Sequence, residues 1–219
     1  MKDSENLRTL VQSLQDLIKE DKLSGEAVKK KTDRLAKLGN PYRANLFPEL
    51  QANANFRSVV GAAPNSLAEA LLWKMGKWNA YKEFVNNYDN TGSLTKKTDV
   101  VFSAFARHLK DSANPIYDQH VLRAMWAINT NFETQEKEKC KVTLIKSKGK
   151  DKGNWKPTLS GGETIECYNL YVKHLNKLTK SDLSNSVLDR LLMPLGQALK
   201  TTANSYKEFQ SVCGWDSNG

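Results

Sequence analysis

Apolar residues recur at intervals of three and four along most of this chain, a spacing that lines one face of an α-helix and not one face of a strand. From Glu5 to Lys19 a single stripe carries Leu7, Leu10, Val11, Leu14, Leu17 and Ile18. A short, very basic helix is expected from Glu26 to Leu38, closed by Gly39. Ser66, followed three residues later by Glu69, has the form of a capping box ahead of a helix from Leu67 to Lys74. Gly76 separates that helix from another at Trp78 to Tyr88. A further helix reaches Lys110, and Asn114-Pro115 stops and turns the chain. Asp118 then begins a helix with Val121, Leu122, Met125, Trp126 and Ile128 on its apolar side. Helices from Glu163 to Leu178, Leu183 to Leu199 (with Pro194 as a kink) and Ala203 to Val212 complete the series. Between Asn40 and Pro64 the sequence is irregular, and Val142 to Ile145 is a candidate short strand. Lys146 to Gly162 is a break rich in Lys, Gly and Ser around Trp155, either a flexible loop or a segment that lies along a phosphate backbone. No internal repeat or long heptad run is present. The expected fold class is all-α.

Composition narrows the partner. The 219 residues carry a formal net charge of +9, a balance that suits a polyanion, of which nucleic acid is the commonest. The apolar runs are short and interrupted by charge, so no segment is expected to span a membrane. The polar start, Met1 to Asn6, has no apolar signal region, and a cytoplasmic location is expected. Three cysteines without a CxxC pair, and three histidines, make a metal site, a disulfide framework or an iron–sulfur cluster unexpected, so no cofactor is assigned. No obligate protein partner is evident.

Two features carry chemistry. The first is the helical hairpin formed by Trp78 to Tyr88, the loop Asn90 to Ser93 and the helix that follows. Ser93 or Thr95 can cap that second helix, whose free N–H groups can hold a phosphate with Lys96 and Lys97 alongside. The alternative is a surface turn between two core helices. The second feature is Asp118. Aspartate is strongly preferred at a helix N-cap, and a carboxylate at a helix start can also face a cleft.

The stretch Gly92-Ser93-Leu94-Thr95-Lys96-Lys97-Thr98-Asp99-Val100-Val101, with Ile116-Tyr117-Asp118-Gln119-His120-Val121-Leu122-Arg123 downstream, resembles the core of the helix-hairpin-helix DNA glycosylase superfamily. The likeness is greatest to 8-oxoguanine glycosylases of archaeal type. Gly92 stands at the first hairpin glycine and Leu94 at the second. The resemblance implies a single domain over 1–219, a two-lobed helical bundle with a cleft between the lobes, and a hairpin and catalytic segment at about 78–130. It also implies double-stranded DNA as partner and excision of a base rotated out of the duplex. Asp118 would be the catalytic carboxylate, and Lys96 or Lys97 the nucleophile of any lyase activity. Gly92, Ser93, Thr95, His120 and Arg123 would contact DNA. Tyr117, Trp73 and Trp126 are the aromatics assigned to the base pocket. The substrate is either an oxidised purine or a hypermodified phage base such as glucosylated hydroxymethylcytosine. The alternative functions are a glycosylase-like DNA-binding module without catalysis and an RNA-binding or protein-scaffold helical domain.

Overall fold

A computed structural model describes residues 2–43, 64, 66–89, 94, 100–133, 135–136, 163–203 and 206–215. The apolar stripes become helices almost where their periodicity places them. In chain order these are α1 (Lys2–Lys19), α2 (Gly25–Lys37), α3 (Leu67–Lys74), α4 (Trp78–Asp89), α5 (Val100–Lys110), α6 (Gln119–Ile128), α7 (Glu163–Leu178), α8 (Asn185–Thr202) and α9 (Tyr206–Cys213). The described residues contain no strand beyond an isolated bridge between Lys180 and Leu183. The candidate strand at 142–145 and the basic stretch at 146–162 lie outside them. No described helix is long and apolar enough to cross a membrane.

Local chemistry sets the helix ends. Ser66 caps α3 by accepting the Glu69 N–H at 3.2 Å, and Ser24 caps α2 by accepting the Ala27 N–H at 3.3 Å. At the other end of α2, Gly39 takes a positive φ of 85°. Asn40 then donates to the Leu35 carbonyl and Gly39 to that of Ala36, the paired bonds that close a helix through a left-handed residue. The end of α1 uses the same device without glycine. Asp21 holds φ 53°, a conformation that aspartate tolerates better than most residues, and Lys180 Nζ pins it through its carbonyl at 2.9 Å and its Oδ1 at 2.7 Å.

Helix α6 is the centre of the core. Every residue from Val121 to Ile128 is buried, the signature of a helix covered on all sides. Each large apolar side chain so buried contributes about 2 kcal/mol. One hydrophobic cluster runs from Leu7 of α1 to Cys213 of α9. Helices α1, α7 and α8 pack on α6, α2 packs on α8, and α9 on α1. Helices α3 and α4 pack together, α4 on α5, and α5 on α7. Gln15 is buried where α1 meets the ends of α6 and α9, and its Nε2 donates to the carbonyls of Ala127 and Cys213, both at 2.8 Å.

Helix α8 runs through Pro194 without ending there, although proline cannot donate to the carbonyl four residues back. That carbonyl belongs to Arg190, and the Oγ1 of Thr32 of α2 lies 3.5 Å from it, while the shorter bond of that hydroxyl, at 2.9 Å, goes to the Val28 carbonyl of its own helix.

Candidate functional site

The turn that leads into α6 is tied down before Asp118 is reached. Asp111 folds it locally, accepting the Ala113 N–H on Oδ1 at 2.9 Å and the Asn114 N–H on its carbonyl at 3.0 Å. Three side chains from other elements then grip consecutive points of the backbone. Asn185 of α8 donates to the Ala113 carbonyl at 2.8 Å. His108 of α5 has its Nδ1 2.8 Å from the Asn114 carbonyl, a contact that requires the proton on that nitrogen. Asp189 of α8 accepts the Ile116 N–H on Oδ2 at 3.3 Å. These bonds use the polar groups that Pro115, with no N–H of its own, leaves in an irregular segment.

Asp118 emerges from this turn in an extended conformation, with φ −155° and ψ −176°, as the N-cap of α6. Its Oδ1 accepts the N–H of His120 at 2.6 Å and of Val121 at 3.0 Å. Its Oδ2 makes no hydrogen bond among the described residues, and the side chain is partly exposed. The capping role read from residue preference is therefore present, and it occupies only one of the two carboxylate oxygens.

Around Asp118 lie groups of unusual polarity for a protein interior. Asp189 is 1% exposed. Burial pushes its carboxyl up to about 7; the Ile116 N–H opposes this, and the charge of Asp118 adds to it. The Nδ1 of His108 lies 4.0 Å from Asp189 Oδ2. Oδ1 of Asp189 and the hydroxyl of Tyr171 are both buried without a hydrogen-bond partner. Burial, then the charges of Asp189 and Asp118, push the Tyr171 phenol well above its ordinary range. A perturbed carboxyl next to a second carboxylate is the pattern expected of a site whose groups exchange protons.

Helix α8 also closes on α6 from the far side of this cluster. Gly196 packs directly against the backbone of His120, where a Cβ would strike the His120 carbonyl. The Arg123 guanidinium lies across this crossing, with Nη1 3.4 Å from the Gly196 carbonyl and 3.5 Å from His120 Nδ1. Burial lowers the Arg123 pKa to about 10, against the pull of Asp118. Burial also lowers the pKa of half-buried His120; the charge of Asp118 opposes that shift and those of Arg123 and Lys200 add to it.

Three of the assigned residues lie in the interior. Arg123 is completely buried and supports the α6–α8 crossing, so it does not reach a DNA phosphate in this arrangement. Tyr117 and Trp126 are core residues at 1% and 0% exposure and present no open face for a base. Tyr117 is enclosed by Tyr168 and Tyr171, with ring centroids 5.1 and 5.6 Å away. Trp126 packs on Phe209 and Trp215 at 5.7 and 5.1 Å. The third aromatic assigned to the base pocket, Trp73, is 59% exposed on α3. Gly92, Ser93, Thr95, Lys96 and Lys97 lie outside the described residues.

Asp189, His108 and Tyr171 escaped sequence reasoning. Asp189 had left a signal, since it interrupts the run Val187-Leu188-Asp189-Arg190-Leu191-Leu192 and falls on the same helix face as Leu192 and Gly196. A cleft of about 300 Å³ lies elsewhere, lined by Leu72, Tyr81, Phe84, Phe102 and Phe105 among others. Another of about 540 Å³ lies between α2 and the start of α8, with Lys29, Tyr42, Asp182 and Arg190 on its wall. Asp118 lines neither. Among the described residues no group of three or more His, Cys, Asp and Glu side chains is placed to hold a metal ion.

No family model, no curated protein and no solved structure matches the chain.

Proposed function

We propose that this chain is a DNA glycosylase acting on double-stranded DNA, with Asp118 as its catalytic carboxylate. The observation that supports this reading best is the state of Asp118. One oxygen is held by two backbone N–H groups, the other makes no hydrogen bond among the described residues, and the preceding turn is anchored by Asn185, His108 and Asp189. A carboxylate so held presents charge at a defined place without reorganising, which is what stabilisation of a developing cation needs. The net charge of +9 suits a polyanionic substrate, and the Asp118-Gln119-His120-Val121 context is that of the resemblance.

A nucleotide rotates out of the stack so that its C1′ faces Asp118. The C1′–N bond breaks, and its electron pair leaves with the base, which takes up a proton. The sugar becomes an oxocarbenium-like cation facing the Asp118 carboxylate. Water adds to C1′ and its proton passes to the carboxylate or to solvent. In a lyase variant the free amine of Lys96 or Lys97 replaces water and forms a Schiff base. The substrate class is an oxidised purine such as 8-oxoguanine, or a hypermodified base such as glucosylated hydroxymethylcytosine. The location is the cytoplasm.

The test is a panel of duplexes, each with one modified base, assayed for abasic sites before and after alkali. Base release by the wild type and its loss in Asp118→Asn, with DNA binding retained, is the expected result. Base release unchanged in Asp118→Asn would remove Asp118 as the catalyst. Tight DNA binding with no base release from any duplex would favour the non-catalytic module.

A further inference from the structure

Helix α8 presents a second carboxyl to the site. Asp189 is buried, holds the Ile116 N–H on Oδ2 at 3.3 Å and leaves Oδ1 without a partner. Seven residues further along the same helix, Gly196 seats against the His120 backbone. Asp118 therefore lies between two points at which α8 grips the chain.

We propose that Asp189 is the positioning residue for Asp118, fixing the backbone that presents it and setting, by its own protonation, the negative charge the site holds. The proposal rests on the glycosylase reading. The groups facing Asp189 leave room for such a switch. From α5, His108 Nδ1 stands 4.0 Å away, engaged with the Asn114 carbonyl at 2.8 Å. From α7 comes the Tyr171 phenol, raised by burial and then by the charges of Asp189 and Asp118, and thus neutral beside them. From the segment after α2 comes Tyr42, raised by burial and by Asp189. The adjacent turn brings Asp118, whose charge favours the protonated form of Asp189. Arg190, next along α8, is exposed. Among the described residues no cation is hydrogen-bonded to Asp189, so its charge state is set by burial and the Asp118 charge against the Ile116 N–H. When Asp189 loses its proton, a second negative charge appears in a poorly solvated site, and a cationic sugar opposite Asp118 gains stabilisation.

Two measurements test this. The first is the single-turnover rate of base release against pH for the wild type and Asp189→Asn, on whichever duplex of the panel the wild type cleaves. The expected wild-type profile rises about tenfold or more between pH 6 and 8, and Asp189→Asn, which keeps an acceptor for Ile116, loses that rise. A rise of the same size in Asp189→Asn overturns the proposal. The second, which does not depend on folding of that variant, is carboxyl-carbon NMR of Asp189 in the wild type and in Asp118→Asn. Its titration is expected to move to lower pH once the Asp118 charge is gone, and an unmoved titration overturns the coupling. Absence of base release from every duplex, with the NMR shift present, would sink the glycosylase reading and leave the coupling of the two carboxyls standing.

Discussion

The carboxyl group of Asp189 accepts the backbone N–H of Ile116 at 3.3 Å, joining the second turn of α8 to a turn 73 residues earlier in the chain. This bond sets the entry to α6. It also leaves a carboxyl inside the core whose proton is retained up to about pH 7.

That retention makes stability depend on pH in a particular direction. The unfolded chain ionises Asp189 near 3.8 and the folded chain near 7. Between those values the native state binds more protons than the unfolded one, so stability falls as pH rises from about 4 to 7 and levels off above. Urea midpoints measured across that range should show a downward contribution that Asp189→Asn removes. An identical slope in the variant would mean that Asp189 titrates normally.

Asp118 serves as cap and, in the proposed mechanism, as catalyst, and substitutions can separate the two. Asp118→Ala removes the acceptor for the His120 and Val121 N–H groups and should cost about 1 kcal/mol of stability. Asp118→Asn retains an equally good cap and should unfold within a few tenths of a kcal/mol of the wild type, while base release is abolished. Chemical denaturation of both variants beside the abasic-site assay gives the comparison.

Gly196→Ala should be the most damaging methyl addition at the α6–α8 crossing. The new Cβ meets the carbonyl and Cα of His120, which are backbone atoms that cannot rotate away. Overpacking of this kind costs about 1–3 kcal/mol. Thermal unfolding should show a lowered Tm, and a Tm equal to that of the wild type would mean that the helices separate freely at this point.

A second buried carboxylate should behave in the opposite sense to Asp189. Glu136 is opposed by burial, yet Lys173 Nζ at 2.7 Å, the Glu133 N–H at 3.2 Å and His174 Nε2 at 2.9 Å outweigh it and lower its pKa to about 2. Because the folded value lies below the ordinary 4.5, its stabilisation is complete above pH 4.5 and is lost as the pH falls towards 2. Acid unfolding of Glu136→Gln should lack that component, readable as a flatter loss of helical circular dichroism between pH 4.5 and 2.5.

Much of the helical architecture was legible because it depends on neighbours in the chain. The stripe of α1, the Ser66 cap, the closure of α2 at Gly39 and the start of α6 at Asp118 all rest on contacts within a few residues. The assigned residues that the structure places in the interior share a different property. Arg123, Tyr117 and Trp126 were assigned to DNA or to a base because their chemistry suits those partners. Whether such a side chain meets a ligand or the interior depends on what packs over it, and here α7, α8, α9 and Trp215 do so.

What the amino-acid order determined by itself was an all-helical chain, a basic charge balance and a capping aspartate at the head of α6, because periodicity, charge and N-cap preference are local or additive properties. Only the tertiary structure decided that Asp189 stands behind Asp118, that His108 and Asn185 hold the same turn, and that Gly196 is the point at which α8 meets α6. The contacts that α8 makes here, Asn185 with Ala113, Asp189 with Ile116 and Gly196 with His120, join residues 72, 73 and 76 positions apart, and only close packing of separate helices brings them together.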